Sequence, residues 1–83
     1  MNKVLVILYV PLLDKEYDIF IPVNKKIGTI KEKIIEGINE FSDDSLINVS
    51  GLRLYNKEKS REYNNNIYVK DSNIINRTKL ILL

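Results

Sequence analysis

Only one stretch of this sequence carries the period of a helix, and that restricts the fold more than any other feature. Ile27, Ile30, Ile34, Ile38 and Phe41 fall three or four residues apart, while Lys31, Glu32, Lys33, Glu36 and Glu40 take the other side. Asn24 is a candidate N-cap, with Thr29 as the alternative if the helix starts later. Gly28 and Gly37 each cost about 1 kcal/mol relative to Ala inside a helix, so packing of the isoleucine stripe must hold it together. The Ser42-Asp43-Asp44-Ser45 cluster is expected to end it.

The remaining apolar segments read as strands. Val4 to Val10 is β-branched and runs into Pro11 and a charged Asp14-Lys15 tip, the pattern of a strand entering a hairpin. Glu16 to Ile21 returns, with Tyr17, Ile19 and Ile21 expected on the buried face. Pro22, which has no N–H, should end the pairing. Beyond Gly51, Leu52 to Tyr55 is a short strand and Arg61 to Tyr63 a weaker one, joined by an Asn56 to Ser60 turn. Asn64-Asn65-Asn66 is expected to be a loop because Asn tolerates left-handed backbone. Asp71 to Ile74 is a turn or single helical turn, and Lys79 to Leu83 is the last strand. With one helix for one mixed sheet, the chain reads as an α+β fold in which the two most apolar strands, the first and last, lie side by side.

At 83 residues there is room for one domain over residues 1–83, without a large internal cavity. The hydrophobic share of 45% against 29% charged is enough for a core without disulfides or metal. Cysteine and histidine are both absent, which removes the thiolate nucleophile, the commonest general base and the soft metal ligands together. The serines thus lack a histidine to activate them, so neither catalysis, a cofactor nor a small-molecule substrate is expected. Glu32, Glu36 and Glu40 repeat on one helix side, but a metal site needs further ligands in a dry concavity, and a solvated face is the simpler reading.

The net charge of +2 is small and its lysines are spread out. Lys57, Lys59 and Arg61, near Tyr55 and Tyr63, could serve nucleic acid only if they converged on one surface. Glu58 and Glu62 interrupt them, so an edge hairpin kept soluble by charge is the simpler reading. Lys3 followed by apolar Val4 to Leu13 has the outline of a secretory signal. Pro11 interrupts it, no small-residue cleavage site follows, and it is shorter than the roughly 18 apolar residues of a membrane span. A cytoplasmic location without membrane insertion is expected, and the glycosylation sequons at Asn48-Val49-Ser50 and Asn76-Arg77-Thr78 then have no chemical meaning.

Two segments resemble ubiquitin. Ile27-Gly28-Thr29-Ile30-Lys31-Glu32-Lys33-Ile34 has the apolar spacing of its first helix turns, and Val69-Lys70-Asp71-Ser72-Asn73-Ile74 followed by Thr78 to Leu82 looks like its last turn and strand. The resemblance implies a ubiquitin-like β-grasp fold, a mixed four- or five-stranded sheet with one helix on one face. Ubiquitin and the sulfur-carrier proteins finish in a Gly-Gly tail, whereas this sequence stops at Leu83, so conjugation and sulfur carriage are not expected. A tail-less bacterial protein of this size is similar to the YukD/EsaB family of type VII secretion accessories. That resemblance implies a cytosolic binding module whose partner is a membrane component of the secretion machinery, such as the YukC/EssB protein. A carrier or modifier and a nucleic-acid-binding β-grasp domain are the competing classes.

Facing supplies the candidate binding residues. If Ile19 and Ile21 look at the helix, then Val4, Val6, Leu8, Leu52, Leu54, Leu80 and Leu82 share that side, joined by Val69 and Ile74. The reverse then carries Leu5, Ile7, Tyr9, Phe20, Ile81 and Leu83, with Arg53 and Tyr55 beside them. Monomers normally make such a face polar, and aromatic residues with Arg are enriched at binding hot spots. The reading is a protein-binding face, with self-association into a homo-oligomer as one use of it. The alternative is that the chain's own hairpin loop covers it.

Overall fold

The computed structural model describes residues 2–41 and 51–83, with the backbone alone at Phe41. The expected helix stop at Ser42 to Ser45, the Phe41 side chain and the Asn48-Val49-Ser50 sequon therefore lie outside the described residues. The strands are β1 (Lys3–Val10), β2 (Lys15–Pro22), β3 (Leu54–Asn56), β4 (Arg61–Glu62) and β5 (Thr78–Leu82). One helix, α1 (Ile27–Phe41), follows β2, and a 3-10 turn (Val69–Asp71) precedes β5. The sheet order is β2-β1-β5-β3-β4. β1 and β5 pair in parallel at its centre, and the other neighbours are antiparallel. This is the α+β β-grasp arrangement, with five strands.

α1 owes its existence to its isoleucine stripe. Ile27, Ile30, Ile34 and Ile38 are all buried, against Val6, Leu8, Val10, Leu54, Leu80 and Leu82 from the sheet. Full burial of such a side chain is worth about 1.5–3 kcal/mol, enough together to outweigh two helical glycines. Val69 and Ile74 close the core beneath the final crossover.

The start of the helix departs from the sequence reading. α1 begins at Ile27, so neither Asn24 nor Thr29 is its cap. Its first donors are met by backbone instead: Ile27 N–H donates to the Ile67 carbonyl at 2.9 Å and Gly28 N–H to that of Asn65 at 2.9 Å. Residues 64–70 run beside 23–28, and Val69 N–H and Lys70 N–H return bonds to the Lys25 and Val23 carbonyls. A distant loop thus supplies what a cap would have. Gly28 makes the approach feasible, because a Cβ there would stand 3.1 Å from Asn65.

Other departures are local. Pro22 is the last residue of β2 and pairs with Lys3, at the end of the ladder where its missing N–H costs least. The short helical turn sits two residues earlier than expected, at Val69–Asp71. β3 and β5 each shift toward later or earlier numbers than the apolar runs suggested, although Arg53 and Leu83 still exchange backbone bonds in both directions. The asparagine run does not use left-handed backbone, for positive φ outside glycine is confined to Asp14, Ser60 and Arg77 among the described residues. Asn64 builds the turn through its side chain, whose Oδ1 accepts the Asn66 N–H at 2.8 Å.

Candidate protein-interaction surfaces

The register across the sheet fixes which residues on the side away from the helix are neighbours. Tyr9 faces Ile81 and Ile81 faces Tyr55, so β1, β5 and β3 contribute one continuous apolar row. Glu16 of β2, opposite Tyr9, and Glu62 of β4, opposite Tyr55, stand at its two ends. Leu83 and Arg53, joined by backbone bonds of 2.8 and 2.9 Å, form the next row outward. On the other flank Ile7 lies between Asp18 and Lys79, and beyond it Leu5 pairs with Phe20.

This surface is narrower than the continuous apolar face that alternation alone predicted. Leu5, Ile7, Tyr9, Tyr55 and Ile81 are half-buried, while Arg53 is exposed and Phe20 and Leu83 are 63% and 60% exposed. The charged Asp18–Ile7–Lys79 row separates Leu5 and Phe20 from the rest. What the structure brings together is Tyr9, Ile81, Tyr55, Leu83 and Arg53; Leu5 and Phe20 make a separate corner. Period-2 alternation gives facing correctly but says nothing about which row each residue joins.

Polar contacts hold this row in place. The Tyr9 hydroxyl donates to Asp14 Oδ1 at 2.9 Å, and Lys57 Nζ lies 5.4 Å from the Tyr9 ring centroid. Asp14, at the hairpin tip, has φ 50°, which turns the chain back beneath the ring. The hydrogen bond to the carboxylate, with smaller contributions from desolvation and charge repulsion, holds the Tyr9 hydroxyl above its ordinary pKa of 10.0. Arg53 reaches Glu62 at 3.3 Å, an exposed pair that orients the guanidinium more than it stabilises the fold.

The other clusters disperse. Lys57 covers Tyr9, whereas Arg61 pairs across from Asn56 on the opposite side of the hairpin. The Tyr63 hydroxyl donates to Asn73 Oδ1 at 2.6 Å, which ties down a ring that base stacking would need free. Glu36 sits 3.9 Å from Lys33 in an exposed pair. Among the described residues no group of three or more acidic side chains could hold a metal ion, and no helix is long and apolar enough to cross a membrane.

A further concavity was not apparent in the sequence: a groove of about 680 Å³ between β2 and α1. Tyr17, Ile19 and Ile21 form one wall, and Ile30, Ile34 and Ile38 the floor. Gly37 borders it, a helix glycine with no heavy atom within 4 Å of the position its Cβ would take.

No protein-family model matches this sequence, and no curated protein does. Solved structures do match. The ubiquitin-like domain of the Mycobacterium tuberculosis type VII secretion system protein EccD1 aligns with a TM-score of 0.74 at 14% identity, over 100% of this chain and 99% of that one. A chain of the MycP5-free ESX-5 inner membrane complex gives a TM-score of 0.79 at 8% identity, over 100% of this chain and 21% of that one. A chain of the toluene 4 monooxygenase HD complex with the inhibitor 4-bromobenzoate gives 0.77 at 9% identity, over 98% of this chain and 96% of that one. Identities this low speak to architecture and not to activity. The chain therefore has the ubiquitin-like β-grasp fold, in the form that ubiquitin-like domains of type VII secretion proteins also adopt.

Proposed function

We propose that this chain is a non-catalytic protein-interaction module, a cytosolic accessory of a bacterial type VII secretion system of the YukD/EsaB kind. In this reading it acts by contact and is not itself conjugated. Its partner is the cytosolic part of a membrane component of the secretion machinery. One observation carries the reading: Tyr9, Ile81 and Tyr55 stand in one register row, pointing away from the core, with Arg53 and the exposed Leu83 next to them. An aromatic and aliphatic strip rimmed by charges of both signs has the anatomy of a binding surface with a polar rim. The structural likeness to the EccD1 domain supports the secretion setting.

The test is a calorimetric titration of the chain against the cytosolic domains of the type VII membrane complex from the same organism. Saturable binding to one of them is expected. Ile81→Glu, which places a carboxylate between two tyrosines without touching the core, should weaken it at least about tenfold, or 1.4 kcal/mol, with an unchanged melting curve. Binding to none of the domains would remove the secretion assignment, and full affinity in the Ile81→Glu variant would move the contact to another surface.

A further inference from the structure

The charges on the outer side of the sheet are sorted by strand. β2 presents Glu16 and Asp18 there, both acidic. β5 presents Lys79, and Lys57 stands next to it, its N–H donating to the Lys79 carbonyl at 2.9 Å. Between them β1 contributes Leu5, Ile7 and Tyr9, with Lys3 at its start. Asp18, Ile7 and Lys79 share one row, so an exposed acid and an exposed base flank an isoleucine. Among the described residues neither of the two takes part in an ion pair. Leu5, in the neighbouring row, has Phe20 on one side. On the other side its bonds to Asn76 and Arg77 hold the segment that carries Ile75. Phe20 and Ile75 are 63% and 67% exposed.

This pattern is complementary to itself about one direction. A twofold axis that relates two copies face to face lies in the plane between their sheets, and each contact then occurs twice. An axis along β1 exchanges the positions of β2 and β5. Ile7 then meets Ile7, Asp18 of each copy meets Lys79 of the other, and Phe20 comes opposite the Ile75–Arg77 segment. An axis across the strands would instead set Asp18 on Asp18 and Lys79 on Lys79. The charges therefore select the first arrangement. Lys3 is the cation this axis brings toward its own copy, and the angle of about 30° at which facing sheets cross swings the two apart.

We infer that the outer side of β2, β1 and β5 binds a second copy of this chain, as a face-to-face dimer with its twofold axis along β1. Three strands about 4.8 Å apart, over five residues of about 3.3 Å rise, offer a face of roughly 14 by 16 Å. That is small against the about 800 Å² per partner of a lasting complex, so the dimer exchanges readily, with a dissociation constant on the order of 0.1 mM. The inference does not rest on the partner assigned to the row of Tyr9, Ile81 and Tyr55. Tyr9 and Ile81 lie within both footprints, so the dimer covers part of that row until a tighter-binding partner displaces the second copy.

The experiment is sedimentation equilibrium on the chain, with amide chemical shifts followed as its concentration is raised. Association is expected, with the largest shifts at Leu5, Ile7, Asp18, Phe20 and Lys79. Asp18→Lys and Lys79→Asp, both at exposed positions, should each weaken it at least about tenfold with unchanged melting curves. An equimolar mixture of the two variants should recover the parent association, because both charge pairs re-form between unlike chains. The double variant, Asp18→Lys with Lys79→Asp, should recover it as well. A chain still monomeric at about 1 mM, association that the single variants leave intact, or a mixture that does not recover it overturns the inference.

Discussion

Asn56 is the buried polar residue among those described, 8% exposed, and its side chain organises the hairpin that contains it. Its Oδ1 accepts the N–H groups of Glu58 and Lys59 at 3.0 and 2.9 Å, and its Nδ2 donates to the Tyr63 hydroxyl at 3.0 Å. The sequence placed a turn at Asn56 to Ser60 on composition alone. That one side chain would both cap the turn and anchor Tyr63 depends on burial, which no local pattern reports. Tyr9 makes the comparable contact at the other hairpin, and it titrates. Its hydroxyl donates to the Asp14 carboxylate, so losing the proton breaks the bond and sets two negative charges together. The folded chain therefore keeps this proton to higher pH than the unfolded one, and the contribution to stability is complete below pH 10.0 and lost as pH rises through the folded value. In ultraviolet titrations, the difference between the parent and Tyr9→Phe should give a midpoint above 10.0. Asp14→Ala should bring that midpoint down; an unchanged midpoint would mean that the hydrogen bond does not form in solution.

Among the elements, the helix shows what spacing can and cannot convey. Its extent, its buried stripe and its packing on one side of the sheet follow from isoleucine periodicity, and the structure bears them out as far as Ile38. Its N-terminal support was not legible, because the carbonyls that satisfy Ile27 and Gly28 come from residues nearly forty positions away in sequence. The two helix glycines looked equivalent for the same reason. Gly28 is held against Asn65, with its Cβ position 3.1 Å from that residue, whereas Gly37 faces open space. Gly28→Ala should lower stability in urea melts, since Asn65 must shift and the backbone bond with it. Gly37→Ala should raise it by about 0.5–1 kcal/mol through the helix propensity gained. Changes of the same sign at both positions would contradict this account of α1.

At the scale of the molecule, the central pairing of β1 with β5 was readable because those strands are apolar on both faces, as strands covered on both edges tend to be. Assigning Leu5, Ile7, Phe20, Tyr9, Tyr55 and Ile81 to the reverse side followed from the same alternation. Their division into a usable strip and a detached corner did not, since it rests on the register of four strand pairs. The groove was hidden more deeply: it exists only because the sheet order leaves β2 at an edge and α1 crosses beside it at Gly37. The central claim is that the outer row recognises a protein, and amide chemical-shift mapping with the cytosolic domain that binds tests it most directly. The account predicts perturbations concentrated at Tyr9, Arg53, Tyr55, Ile81 and Leu83, with the exposed side of α1 unaffected. Perturbations gathered on Glu32, Glu36 and Glu40, with the outer row silent, would contradict it.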